Sequence, residues 1–151
     1  MYYTWGSYDY KELFNYESVP GSYYSGVYIG KEISSTTYDV AHIKWGDGAR
    51  MPTLAELQEL LANCSFKPGT YNEVSGNYVV GPNANSIFLP FSGYKSDDEH
   101  YSKGSIGCFW TGTYYQSNND DAYSLTTRKD YSFIDDSPRY LGRSVRPVKD
   151  K

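Results

Sequence analysis

The sequence predicts an α+β fold in which two helices pack on a twisted, mainly antiparallel sheet with long loops. Three observations lead there. One stretch carries a full helix signature and another a shorter one. Elsewhere, short runs of high β propensity are separated by Gly, Ser, Asn and Pro, which implies many turns and short strands. Aliphatic residues are sparse, whereas the 151 residues include 18 Tyr and 3 Trp. Tyr is therefore expected to share in the packing as well as in the surface.

The elements follow in chain order. Residues 2–33 read as loops and irregular short strands, because their aromatics fit no single helix face. Pro20-Gly21 marks a turn, and residues 23–29 are read as a strand interrupted at Gly26. Residues 38–45 predict a short helix with Asp39 in its first turn and Val40, Ile43 and Trp45 facing inward. Gly46 and Gly48 end it. Residues 53–64 predict the main helix. Thr53 and Glu56 form a capping box, and Leu54, Leu57, Leu60 and Leu61 make one apolar face.

Residues 66–80 are read as a strand pair around turn residues 72–77. Gly81-Pro82-Asn83 is a further turn, and residues 86–91 are an apolar run of buried-strand length whose end Pro90 places near an edge or a bulge. Residues 93–106 are expected to be a long surface loop. Residues 109–110, 122–126, 131–134 and 144–148 are the remaining strands.

Length favours one domain, residues 1–151, with enough chain for a substantial core. The net charge of −4 is spread out and forms no basic stripe, which argues against nucleic acid as a partner. No apolar run approaches the roughly 18 residues of a membrane span, and residues 1–6 carry no signal-peptide pattern. Cys64 and Cys108 could pair or remain two semi-buried thiols; their spacing requires neither.

The stretch 107–148 differs from the rest. Framework-like residues open and close it, and between them Tyr, Asn, Asp and Ser occur in runs. Tyr offers contact area at low entropic cost, and the small polar types offer adaptable hydrogen bonds. The expected ligand-binding residues are Tyr114, Tyr115, Asn118, Asn119, Asp120, Tyr131, Phe133, Asp135, Asp136, Arg139 and Tyr140. The competing reading is a polar sheet edge with Tyr packed across strands.

Several separated motifs then occur in order. They are Tyr3-x-Trp5-Gly6, Asp39-x-Ala41-His42-x-x-Trp45-Gly46, Arg50-Met51-Pro52-Thr53-x-x-Glu56-x-x-x-Leu60 and Asn63-Cys64. Asn85-Ser86-Ile87-Phe88-Leu89-Pro90, Gly93-Tyr94, Gly107 with Trp110, Ala122-Tyr123-x-Leu125 and Gly142-x-Ser144-Val145-Arg146-Pro147-Val148 follow. Together they resemble the Fibrobacter succinogenes major paralogous domain family, common in gut Bacteroidetes. The resemblance implies a C-type-lectin-like fold, similar to the variable proteins diversified by retroelements and to the formylglycine-generating enzymes. Family members carry a further strand before Tyr-x-Trp-Gly, and this chain begins after it. In the diversified relatives the variable positions precede the final Ser-Val-Arg-Pro-Val strand. Residues 131–140 contain only types that adenine-directed mutation can produce; Gln116 and Lys129 would be fixed positions.

Other chemistries are poorly supported. Asp97-Asp98-Glu99, Asp120-Asp121 and Asp135-Asp136 could ligate calcium, but adjacent Asp residues on a strand point apart. Calcium also needs about six to eight converging oxygens. The acidic-or-amide–Pro–Asn/Asp motif of calcium-dependent lectins is missing from Gly81-Pro82-Asn83. His42 and His100 lie in no zinc spacing. No nucleophile elbow exists, and Cys64 and Cys108 do not match the reactive pair of the formylglycine-generating relatives. Arg50, Arg143 and Arg146 are expected to be structural, buried or bridging guanidinium groups with several backbone carbonyl partners.

The leading expectation is a non-enzymatic binding module that needs no cofactor or metal. Its partner would be a protein or glycan, met by residues 114–121 and 131–140. The setting expected is extracellular, at a cell surface or on a phage particle, within a larger or exported protein. The alternative is a structural or adhesive module that self-associates through the same face.

Overall fold

In the computed structural model, which describes residues 1–7, 14, 28–115 and 120–150, two helices and ten strands are found. They run α1 (Val40–Trp45), β1 (Ala49–Arg50), α2 (Leu54–Asn63), β2 (Ser65–Tyr71), β3 (Val74–Val80) and β4 (Ser86–Pro90). Then come β5 (Tyr94–Ser96), β6 (Glu99–Tyr101), β7 (Ile106–Tyr114), β8 (Asp121–Arg128), β9 (Ser132–Pro138) and β10 (Val148–Lys149). The mixed α+β class is as the sequence predicts. The strands form four small antiparallel sheets: β1–β10, β2–β3–β4, β5–β6 and β7–β8–β9.

Helix α2 forms where its capping box starts it. The Thr53 hydroxyl accepts from the Glu56 N–H at 3.2 Å, and the Glu56 carboxylate accepts from the Thr53 N–H at 2.9 Å. Each satisfies an amide that the first helical turn leaves open. Its Leu face is less deeply buried than the periodicity suggests. Leu57 is buried, while Leu54, Leu60 and Leu61 are only partly covered.

Helix α1 starts one residue after Asp39, which is its N-cap rather than a first-turn residue. The Asp39 side chain is fully buried and accepts four backbone N–H groups, from Ser35, Ala41, His42 and Met51. Val40 and Ala41 face the core, but Ile43 and Trp45 are 43% and 48% exposed, contrary to the expected inward face. Six residues make under two turns, so one short arc suffices to bury the helix and the rest of it points to water.

Turns account for two further differences. The β2–β3 hairpin closes on Asn72 and Glu73 alone, both at positive φ, as a two-residue loop of matching twist requires. Residues 74–77, read as turn, belong to β3. The expected loop 93–106 contains the β5–β6 hairpin, in which Ser96 pairs with Glu99 across Asp97-Asp98. Most of the segment read as strand at 23–29 lies outside the described residues.

The core has two centres, on opposite faces of β7–β8–β9. One gathers Tyr3, Trp5, Ile33, Val40, Met51, Trp110 and Ala122. The other gathers Leu57, Val79, Leu89, Phe109 and Leu125 beneath α2. Both buried indoles are satisfied: Trp5 Nε1 donates to the Thr111 carbonyl and Trp110 Nε1 to the Tyr3 carbonyl, each at 2.8 Å. A break in the β7–β8 register between Trp110 and Tyr114 turns Thr111 and Thr113 to these tasks. Thr113 accepts from the Leu54 N–H at the start of α2 and donates to Glu32. No described helix is long and apolar enough to cross a membrane.

Candidate binding face

Strand alternation decides what each predicted site residue can do. Successive side chains of β9 leave on opposite faces of the sheet. Phe133 lies opposite Thr126 and Asp135 opposite Ser124, whereas Ile134 lies opposite Leu125 and Asp136 opposite Tyr123. The predicted face is therefore divided between the two sides of the sheet.

The first side holds a stacked aromatic pair with one exposed ring. Tyr131, 52% exposed, stacks on Phe133 with ring centroids 5.3 Å apart and planes 23° off parallel. The Arg128 guanidinium sits over both rings, at 5.6 Å and 5.9 Å. Such a cation over a ring face is attracted by the ring quadrupole and also holds the rings in place.

Asp135 is on the same side but turned to support. It accepts from Ser124 Oγ at 2.7 Å and lies 3.3 Å from Thr126 Oγ1. Ser124 in turn accepts from Arg143 at 2.8 Å, and the second Arg143 nitrogen donates to Ser137 at 2.7 Å. Arg143 is buried, with its guanidinium 5.2 Å from the Trp110 ring and 5.7 Å from the Tyr94 ring. Its partners are hydroxyls, not the carbonyls expected.

The opposite side brings together Tyr115, Tyr123, Asp121 and Asp136. Tyr115 meets Tyr123 edge-on at 5.4 Å. The Asp121 carboxyl is pushed up to about 6, first by burial, then by the charge and hydrogen bond of Asp136 and by Asp120. Asp136 is exposed and Asp120 half-buried.

Other predicted residues belong to the framework. Tyr114 meets Tyr28 edge-on at 5.7 Å and packs against the Trp5 core. Arg139, expected to contact ligand, is 1% exposed and lies 4.7 Å from the Trp5 ring. Burial lowers its pKa to about 10, partly offset by Asp120. With Arg139 so covered, a ligand cannot reach it directly. Tyr140 is half-buried. Asn118 and Asn119 lie outside the described residues.

The remaining chemistry-bearing groups fall into place around this sheet. Cys64 and Cys108 are both free thiols, and burial pushes the Cys108 pKa up, which disfavours the nucleophilic thiolate. Among the described residues no group of three or more His, Cys, Asp or Glu converges on a metal position. Asp97-Asp98 is a hairpin turn, and Asp135 and Asp136 diverge across β9. Arg50 is bridging, as expected: it grips Glu56 through two nitrogens at 2.9 Å and 2.5 Å and reaches Asp150 at 2.9 Å. Arg146, expected to be structural, is exposed instead and makes no ion pair among the described residues. Arg128 and its ring stack were not singled out from the sequence. The signal available was Arg128 three residues before Tyr131, but only the β8–β9 register reveals the stack.

No family model matches the chain, and no curated protein or solved structure is significantly similar to it.

Proposed function

We propose that this chain is a non-enzymatic ligand-binding module of C-type-lectin-like fold, related to the family its motifs resemble. Its ligand meets the Tyr131–Phe133 face. The observation that carries this reading is the contrast at the start of β9: the exposed Tyr131 ring stacks on the partly exposed Phe133 under Arg128, while Asp135, two residues on, is tied to Ser124 and Thr126. Flat aromatic area on a strand held by hydrogen bonds suits recognition, because little side-chain freedom is lost on binding. The ligand class is a protein or a glycan, and the setting is a cell surface or another exported assembly.

The raised pKa of the buried Cys108 thiol disfavours thiolate chemistry at that position. Positions 131–140 admit sequence diversification in the family's manner. A reverse transcriptase gene beside a near-copy of the 3′ coding segment, differing at adenines, is the genomic arrangement expected.

The test is capture on a glycan and bacterial surface-protein array, comparing the native chain with the double variant Tyr131→Ala/Phe133→Ala. Binding is expected to be lost with the melting temperature within about 3 °C of the native value, as befits one exposed and one partly exposed position. Identical capture by both chains, with the fold intact, would reject the face as the binding site.

Self-association is the second reading. It is favoured by Tyr71, 56% exposed, and Tyr131, 52% exposed, which give the molecule aromatic contacts on two different sheets. Sedimentation across a concentration series separates the two. A monomer accords with ligand capture, and an oligomer dissolved by the double variant accords with assembly.

A further inference from the structure

The β7–β8–β9 sheet ends on β9. Which backbone groups that strand offers at its outer edge follows from the register. At one end of the β8–β9 pair the Arg128 N–H donates to the Tyr131 carbonyl, and at the other the Arg139 N–H donates to the Asp120 carbonyl, each at 2.9 Å. Bonded and non-bonded pairs alternate along an antiparallel ladder. Phe133, Asp135 and Ser137 therefore bond to β8, opposite Thr126, Ser124 and Ala122. Ser132, Ile134 and Asp136 turn their N–H and C=O groups the other way. No described residue bonds to those outward groups.

An unpaired edge is a template for another strand, and proteins blunt it with proline, lysine or a covering element. The edge of β2 is treated in this way. Pro68 lacks a donor in mid-strand, Lys67 is exposed beside it, and the Thr70 carbonyl accepts from the Tyr78 hydroxyl at 2.6 Å. β9 carries no proline or lysine before Pro138, its last residue. Ser132 and Ile134 are only partly covered and Asp136 is exposed, so another chain can approach.

The side chains indicate which strand fits. Ile134 and Leu61 are both partly covered, at the margin of the core centre beneath α2, so Ile134 favours an apolar neighbour. Asp136 is hydrogen-bonded to Asp121, which also feels the charge of Asp120. No described Lys or Arg forms an ion pair with Asp136. A cation opposite Asp136 would offset this crowding, since unlike charges across a strand pair stabilise it and like charges weaken it. A second copy of β9 brings no cation to that position, because Ser132–Pro138 contains none.

We propose that the outer edge of β9 takes an extended peptide of a partner protein, paired antiparallel, with Lys or Arg opposite Asp136 and an apolar residue opposite Ile134. Main-chain bonds supply the affinity and alternate side chains the specificity. The site is strand backbone, so it stands whether or not the Tyr131 ring meets a ligand.

The capped peptide Thr-Lys-Thr-Val-Tyr-Thr sets Lys opposite Asp136 and Val opposite Ile134 in this register. NMR titration of the native chain should show saturable binding. Amide exchange at Ser132, Ile134 and Asp136 should slow by about tenfold or more on saturation, whereas Phe133 and Asp135 are protected already without peptide. N-methylation of the peptide Val removes a donor aimed at β9 and should weaken binding about tenfold. N-methylation of the peptide Tyr, whose N–H points away, should leave binding nearly unchanged. Replacing the peptide Lys by Glu should weaken binding about fivefold, and Asp136→Lys should invert that preference. Tyr131→Ala should leave peptide binding saturable.

Amides of Ser132, Ile134 and Asp136 already protected in the dilute free chain, absence of saturable binding, or equal loss from the two N-methyl peptides would overturn the paired edge. Loss of peptide binding in Tyr131→Ala would assign the peptide to the ring face and overturn it as well. Protection that rises with chain concentration in the absence of peptide would give the edge to a second copy. Equal affinity for the Lys and Glu peptides would overturn the role of Asp136.

Discussion

Asp39 concentrates more backbone hydrogen bonds than any other described side chain. It is fully buried and holds the N–H groups of Ser35, Ala41, His42 and Met51, so one carboxylate ties the turn before α1, the helix itself and the strand segment after it. Asp39→Ala leaves these donors buried without acceptors, at about 1–3 kcal/mol for each that water cannot reach. A loss of about 3 kcal/mol or more is expected in urea denaturation, enough to unfold a marginal domain. Asp39→Asn keeps one acceptor oxygen and should cost less.

Asp121 predicts a pH dependence opposite to that of a salt-bridged carboxylate. Folding raises its pKa from 3.8 to about 6. Between those values the folded chain holds a proton that the unfolded chain has released. Stability contributed by this group is therefore present at the acid end and declines as pH rises to about 6, then levels off. The midpoint of urea unfolding, measured from pH 4 to pH 6.5, should show Asp121→Asn gaining on the native chain as pH rises. Parallel curves for the two proteins would rule out this role for Asp121.

At the scale of elements, what could be read from sequence was what is encoded locally. The α2 capping box is two residues in one turn, and it formed as the spacing indicates. Thr53→Ala should cost about 1 kcal/mol in chemical denaturation, and Thr53→Ser much less. The β2–β3 hairpin was also legible, though its turn was narrower than the polar residues suggested.

The β5–β6 hairpin was not legible. None of its six residues is fully buried, so no alternation of apolar and polar types marks it. The inward face assigned to Ile43 and Trp45 failed for a related reason: periodicity gives a face only when a helix is long enough to have one.

Strand pairing also places demands on single backbone positions. A Cβ on Gly76 would lie 2.4 Å from the Leu89 carbonyl oxygen and 2.9 Å from Pro90 Cα. Because the obstruction is backbone, Gly76→Ala should separate β3 from β4 and lower the melting temperature by several degrees, at about 1–3 kcal/mol. Gly69 is a useful contrast. Its added Cβ would meet only the Tyr78 ring edge at 2.9 Å, on a partly exposed side chain that can move.

For the whole molecule, the two core centres and the buried guanidinium groups form a frame, and the predicted binding stretch crosses it. Composition could mark residues 107–148 as unusual. It could not sort them, because the sorting depends on the β8–β9 register and on contacts distant in sequence. Arg139 shows the limit: its neighbour is Trp5, and nothing near position 139 announces it. Asp135 and Asp136 show the same limit at one residue's spacing, the first turned to Ser124 and the second standing across from Tyr123.

On the proposed reading the frame is fixed and the Tyr131 face is replaceable. Saturation mutagenesis under surface display with protease challenge measures this without knowledge of the ligand. The expected result is that most substitutions at Tyr131 and Phe133 leave protease resistance near native, while almost none is tolerated at Trp5, Trp110 and Arg143. Comparable intolerance at both sets of positions would mean that the face is part of the frame, and would contradict the claim.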